Sequence, residues 1–328
     1  MSVPATSLAE IEAAAARIAG WAVETPLIES PALNERLGGR VLIKPETLQR
    51  VGAFKFRGAF NRLVQLTGDQ KRAGVVAFSS GNHAQGVALA ARLLGMPALI
   101  VMPSDAPAVK VANTRAYGAE IRLYDRLTED REAIAAEIAA TRGAVVVPAF
   151  DDPDVISGQG TVGLELAHQA ARLNARLDLA LCPVGGGGLI AGLSTALKAL
   201  TPATEVVGVE PELFDDTARS VAAGVRTPIR PTGRSLCDAL ESPAPGVLTF
   251  PINQRNLSGI VTVSDAEVAE AMRYAFATLK LVVEPGGVVG LAAMLAGKVP
   301  TMDRTVGLVL SGGNVDPDLF ARVIRAEP

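Results

Sequence analysis

The chain has 328 residues, a net charge of -3, and apolar and charged shares of 49% and 20%. That composition belongs to a globular protein long enough for more than one core, and it excludes a disordered chain. The slight negative charge gives no reason to bind nucleic acid or an anionic membrane, so neither is expected as a partner. Two cysteines, Cys182 and Cys237, and two histidines, His83 and His168, leave no disulfide framework and no thiolate- or His-rich zinc site. The opening MSVPATSLAEIE has no basic n-region or apolar h-region, so a cytoplasmic protein is expected.

In chain order, Ser7 and Glu10 form a capping-box pattern. Ile11, Ala14, Ala15 and Ile18 then fall at helical spacing before Gly20. Short β-branched runs follow at 41–43, 75–78, 98–102, 120–124, 144–147, 179–184, 205–209, 260–263 and 306–310, and each reads as a strand. Helical patterns lie between them, among them 84–94, closed by Gly95, and 264–279, opened by a second capping box at Ser264 and Glu267. The uncharged window 179–197 has five glycines and Pro183, so it reads as buried strand, loop and helix rather than as a membrane span. Alternating strands and helices predict an α/β fold with parallel sheets covered on both faces. Closely spaced βα units fill 72–150.

Five segments could carry chemistry. In Gly52-Ala-Phe-Lys55-Phe-Arg-Gly-Ala59, a lysine stands between Phe54 and Phe56. Desolvation by rings would favour its neutral, nucleophilic form, although a surface lysine snorkelling past core aromatics would look the same. Ser79-Ser80-Gly81-Asn82-His83 links a strand to a helix, where hydroxyls and backbone N–H groups make an anion site suited to a carboxylate. Gly185-Gly186-Gly187-Gly188 also links a strand to a helix, and such a run suits close backbone approach to a phosphate. Gly186, Gly188 and Ala191 equally satisfy a dinucleotide fingerprint with Glu210 at the ribose position, so on this segment alone an NAD-dependent dehydrogenase is as good a reading. Ser311-Gly-Gly-Asn314 follows a strand at its carboxyl end, where ligands bind in α/β sheets. Glu210-Pro-Glu-Leu-Phe214-Asp215-Asp216 collects hard oxygen donors that suit Mg²⁺ or Ca²⁺, or forms an acidic surface loop.

Taken together and in this order, the segments GAFKFRGA, SSGNHAQG, GGGG, EP-x-x-x-DD and SGGN resemble the fold type II pyridoxal-phosphate enzymes, and most of all the short threonine/serine dehydratases and serine racemases. The resemblance runs from Thr25 to Asn314. It implies a two-lobe fold like the tryptophan synthase β subunit. The large cofactor domain would comprise 1–71 and 151–328, with a small domain, 72–150, inserted in it. It implies that Lys55 holds the cofactor aldehyde, that Phe54 lies against its ring, and that Gly185 to Gly188 hold its phosphate. Asn82 would donate to its 3-hydroxyl and Ser311 would meet its ring nitrogen. The implied activity is β-elimination from a β-hydroxy amino acid, most of all L-threonine or L-serine, giving a 2-oxo acid and ammonia. 3-Hydroxyaspartate dehydration and serine racemisation are the alternatives. Ser79, Asn82 and His83 would face the substrate. Lys55 and Ser80 would act on opposite faces of the α-carbon, since serine racemases and hydroxyaspartate dehydratases resemble the SSGNH found here. Arg131 and Ser242 align with pocket positions, and the arginine could bind a second carboxylate. Such relatives also hold a divalent cation at Glu210, the Phe214 carbonyl and Asp216, and a homodimer is expected by resemblance only.

Overall fold

The computed structural model describes residues 6–79, 81–106 and 108–326. Among these described residues, nine strands form two parallel sheets. They are β1 (Arg40–Pro45), β2 (Val75–Phe78), β3 (Ala98–Pro103), β4 (Glu120–Tyr124), β5 (Val145–Val146), β6 (Leu179–Pro183), β7 (Glu205–Pro211), β8 (Gly259–Val263) and β9 (Thr305–Leu310). The larger sheet has the order β1-β9-β6-β7-β8, and the smaller one β4-β3-β2-β5.

The apolar runs read as strands because both faces of each sheet are covered. Val41 and Ile43 enter one core cluster and Leu42 the opposite one, and Leu179 and Leu181 alternate with Ala180 and Cys182 in the same way. In the smaller sheet Val75, Ala77 and Ile100 pack one way, and Val76, Leu99 and Val101 pack the other way against Ala135 and Ala139. No helix among the described residues is long and apolar enough to cross a membrane. Both expected capping boxes form, at Ser7 with Glu10 and at Ser264 with Glu267. The second helix runs Asp265–Tyr274 and continues as a π-helical turn, Ala275–Leu279.

The helix Lys55–Val64 joins the two halves of the molecule. Phe56, Ala59, Phe60 and Leu63 share a core cluster with the smaller sheet. Its other side meets the long helix Pro153–Arg172 at a glycine contact. A Cβ on Gly158 would lie 2.6 Å from the Gly58 Cα, so neither helix tolerates a side chain there. Beside this contact Arg57 is fully buried. Its guanidinium donates to both Glu46 oxygens at 2.8 Å and to Glu165 at 2.5 and 2.8 Å. The buried Lys44 donates to Glu165 at 2.6 Å and to the Thr25 carbonyl at 2.6 Å. This network fixes the base of the helix whose first residue is Lys55.

Candidate active site

The segment before Lys55 is zipped to the loop after β9. Phe54 N–H donates to the Ser311 carbonyl at 3.1 Å, Gly313 N–H donates to the Gly52 carbonyl at 2.9 Å, and Ala53 bridges Gly312. Two segments more than 250 residues apart in sequence are thereby in register, and Lys55 opens its helix beside Ser311. The partly buried Lys55 Nζ donates to the Ala149 carbonyl at 2.7 Å and lies 5.2 Å from the Phe54 ring centroid. Burial lowers its pKa to about 8, against the opposing pull of Glu284. The two flanking rings do not act alike. Adjacent helical residues point in different directions, and Phe56 turns into the core, where its ring lies 5.6 Å from that of Phe60. Only Phe54 lies beside the amine.

Two helices begin at the same place with no side-chain cap. The helix Asn82–Leu93 starts two residues earlier than the sequence pattern suggested, so Asn82 and His83 occupy its first turn. Its N-cap Gly81 supplies no side chain, and the Gly81 N–H itself donates to Ser79 Oγ at 3.2 Å. The helix Gly188–Leu200 follows Gly187, whose φ of 89° is left-handed and favours glycine. A Cβ on Gly186 would lie 2.4 Å from the Phe150 ring, and one on Gly187 would lie 2.5 Å from Asn253 Nδ2. The Gly186 carbonyl is held from behind by Thr249 Oγ1 at 2.7 Å and by Gly246 N–H at 3.2 Å. Among the described residues no other group takes the four glycine N–H groups. Open N–H groups at two helix starts, beside a lysine whose pKa is lowered to about 8, fit an anionic group such as a phosphate and a carboxylate.

These features line one cleft of about 360 Å³. Phe54, Lys55, Ser79, Asn82, His83, Arg131, Ser242, the four glycines from Gly185 to Gly188 and Ser311 all border it. Ser80 lies outside the described residues. The His83 Nε2 lies 2.9 Å from the Val147 carbonyl, and burial followed by the Lys55 charge pushes its pKa down to about 3, so the ring is neutral and donates from Nε2. Ser242 Oγ donates to the Ala244 carbonyl at 2.7 Å. Arg131 opens its helix with its guanidinium 5.5 Å from the Phe78 ring centroid, a cation–π contact, and has no carboxylate partner among the described residues.

Two further lining residues, Lys110 and Glu284, escaped the sequence reading. Lys110 donates to Asp238 at 2.6 Å across the cleft, from the half of the chain that holds the smaller sheet to the half that holds the larger. Glu284 accepts from Asn82 Nδ2 at 2.6 Å, and burial, then Asp238, raises its pKa to about 7. Each is a single charged residue in an otherwise ordinary helix or loop, with no local motif to mark it.

Glu210, next to last in β7, is fully buried and accepts from the N–H groups of Thr217 and Ala218 at 3.0 and 2.9 Å. It therefore caps a helix start and has no reach toward a ribose, which overturns the dehydrogenase reading of the glycine run. Phe214 and Asp216 are buried close by in sequence, and both Asp216 carboxylate oxygens lack a hydrogen-bond partner. Among the described residues no group of three or more His, Cys, Asp or Glu side chains could hold a metal ion.

Comparison with known proteins agrees with this geometry. Residues 18–312 match the family described as pyridoxal-phosphate dependent enzyme. An L-threo-3-hydroxyaspartate ammonia-lyase of a Pseudomonas species is 47% identical over 98% of this chain and 99% of its own. A serine racemase of Schizosaccharomyces pombe is 41% identical over 96% of each. Among solved structures, a threonine deaminase from T.th. superposes with a TM-score of 0.88 at 46% identity, covering 94% of this chain and 99% of that one. With a family match across nearly the whole length and relatives this similar, the chain belongs to the pyridoxal-phosphate dependent enzymes.

Proposed function

We propose that this enzyme eliminates water from a β-hydroxy amino acid and releases a 2-oxo acid and ammonia. The observation that carries the reading is the convergence of Lys55 with two uncapped helix starts in one cleft. The names of the relatives, an ammonia-lyase and a threonine deaminase among them, support the same reaction class.

Bound pyridoxal phosphate supplies the electron sink for negative charge at the substrate α-carbon. Gly185, Gly186, Gly187 and Gly188 would hold the phosphate through their N–H groups, Phe54 would lie beside the ring, and Asn82 and the neutral Ser311 would meet its 3-hydroxyl and ring nitrogen. The substrate α-carboxylate docks on Ser79, Asn82 and the N–H groups of the Asn82 helix, with His83 neutral behind it. Lys55 Nζ takes the α-proton, and its lowered pKa leaves a usable share of free amine near neutrality. Ser80 stands in the motif position for a proton donor on the opposite face, which would allow racemisation. Ser242 also borders the cleft.

The sequence favoured L-threonine or L-serine. Arg131, a lining cation without a carboxylate partner among the described residues, and a relative named for 3-hydroxyaspartate move our preferred substrate to that dicarboxylate. Turnover of L-threo-3-hydroxyaspartate, L-threonine and L-serine tests this, with 2-oxo acid, ammonia and enantiomers measured together. Arg131→Leu should raise KM for hydroxyaspartate about tenfold or more, the value of a charged hydrogen bond, and leave KM for threonine within about threefold. Equal effects on both substrates would return the assignment to threonine.

We further propose that 72–150 forms a small lobe inserted in the larger one, supported by the smaller sheet falling wholly within it. Glu210, the Phe214 carbonyl and Asp216 are proposed to hold Mg²⁺ or Ca²⁺, supported by the two unpartnered Asp216 oxygens. A cytoplasmic homodimer completes the proposal, the location resting on the character of the opening residues and the dimer on family resemblance; fractionation and sedimentation test them.

A further inference from the structure

Asn82 can serve the cofactor as a hydrogen-bond donor only if its amide faces the right way, and nothing about an asparagine fixes that by itself. The surroundings do. Asn314 Nδ2 donates to the Val51 carbonyl at 2.7 Å and to Asn82 Oδ1 at 2.8 Å. Asn82 Nδ2 then donates to Glu284 Oε1 at 2.6 Å. A backbone carbonyl can only accept. The Asn314 atom facing Val51 must therefore be the nitrogen, the Asn82 atom facing that nitrogen must be the oxygen, and the remaining Asn82 amide group must be the donor. One Asn82 N–H goes to Glu284 and the second stays unspent at the edge of the cleft.

We infer that Asn314 is a positioning residue: it transmits the fixed polarity of the Val51 carbonyl to Asn82 and so holds Asn82 as a donor toward the cofactor. This rests on the reading above, in which Asn82 meets the cofactor. Two observations support it. Val51 sits at φ 56°, a left-handed conformation that a β-branched residue rarely adopts, and that turn places its carbonyl within reach of Asn314. The next residue is Gly52, where a Cβ would lie 3.0 Å from Asn314 Oδ1, so the turn is also shaped to admit the Asn314 amide. Glu284 cannot set the polarity alone. With a pKa raised to about 7 it can either donate or accept near neutrality, whereas Val51 accepts at every pH. The relay also joins three separated segments of sequence, those around Lys55, Asn82 and Ser311.

The test uses full-length protein stripped of cofactor. Asn314→Asp preserves shape but cannot donate to either partner. It should raise the apparent Kd for pyridoxal phosphate about tenfold and shift the absorption maximum of the bound cofactor, while the melting temperature of the cofactor-free protein serves as the fold control. Asn314→Ala carries the same test where Asn314→Asp proves insoluble. In a double-mutant cycle Asn82→Ala and Asn314→Ala should not add: the double variant should bind the cofactor within about twofold of Asn82→Ala alone. Unchanged affinity and spectrum in both Asn314 variants, or losses that multiply in full, overturn the inference and leave the cofactor reading intact. Failure of the wild-type protein to take up pyridoxal phosphate overturns the cofactor reading and this inference together.

Discussion

Two of the groups of buried charge among the described residues differ in one respect. Around Arg57, the charges of Arg57 and Lys44 face those of Glu46 and Glu165, and each carboxylate oxygen accepts at least one hydrogen bond from a cation. Burial pushes Glu46 up, but the Arg57 guanidinium, Lys44 and Thr25 together hold it below the usual carboxylate range. Around Asp216 the carboxylates of Glu210 and Asp215 oppose its charge, and the pull of Arg226 does not outweigh them. Burial and then the Glu210 carboxylate raise Asp216 to about 8, and burial raises Glu210 to about 7. A saturated set of buried charges is architecture. An unsaturated one is a place where a proton or a cation must enter.

The largest test removes one member of the saturated set. Arg57→Met keeps much of the volume and leaves Glu46 and part of Glu165 without a counter-charge. It should cost about 3–5 kcal/mol in denaturant unfolding, the usual penalty for an orphaned buried charge. A loss below about 1 kcal/mol would mean that water reaches the network, and would remove the contrast with Asp216.

The next test fills the unsaturated set. Without a divalent cation, the folded protein keeps protons on Asp216 and Glu210 that the unfolded chain has released. Stability should therefore fall as pH climbs out of the ordinary carboxylate range, and level off above about 8. Saturating Mg²⁺ or Ca²⁺ should displace those protons, flatten the slope, and add about 2–3 kcal/mol at a hundredfold excess over Kd. Asp216→Asn should lose the cation response and soften the slope in EDTA. Melting curves from pH 5 to 9 in EDTA and in Mg²⁺ decide it. If they coincide, the pair carries protons only.

How much of this was legible in the sequence depends on what kind of signal each part left. The strands were legible because parallel sheets covered on both faces need unbroken apolar runs such as 98–102 and 306–310. The cleft was legible because Lys55, Gly185 to Gly188 and Ser311 stand in local motifs whose order is distinctive. Partners set by the fold alone left no such trace. Arg57 lies in a quoted motif, yet nothing local shows that it reaches Glu165, more than 100 residues on. Lys110 meets Asp238 only because the two halves of the molecule close on each other. Phe56 misled for a local reason: adjacency in sequence was taken as adjacency in space, and a helix separates neighbours.

Lys55 stands between the two charge groups and gives the smallest test. It is less buried than Arg57, its hydrogen-bond partner is the uncharged Ala149 carbonyl, and the opposing charge of Glu284 does not outweigh desolvation. An ammonium so placed gives up its proton early, whereas Arg57, between two carboxylates, does not. The reactive species toward an aldehyde is the free amine. The rate at which cofactor-free protein captures pyridoxal phosphate should therefore rise about tenfold per pH unit below 8 and level off above it. Stopped-flow absorbance at several pH values measures this. A plateau only above pH 10 would mean that the amine keeps an ordinary lysine pKa, solvated and charged, and that burial in the cleft does not prepare it. A plateau near pH 8 in the wild type that moves downward in Glu284→Gln would attribute the residual opposing pull to that one carboxylate, because its charge holds the proton on Lys55 and its removal lets the proton go.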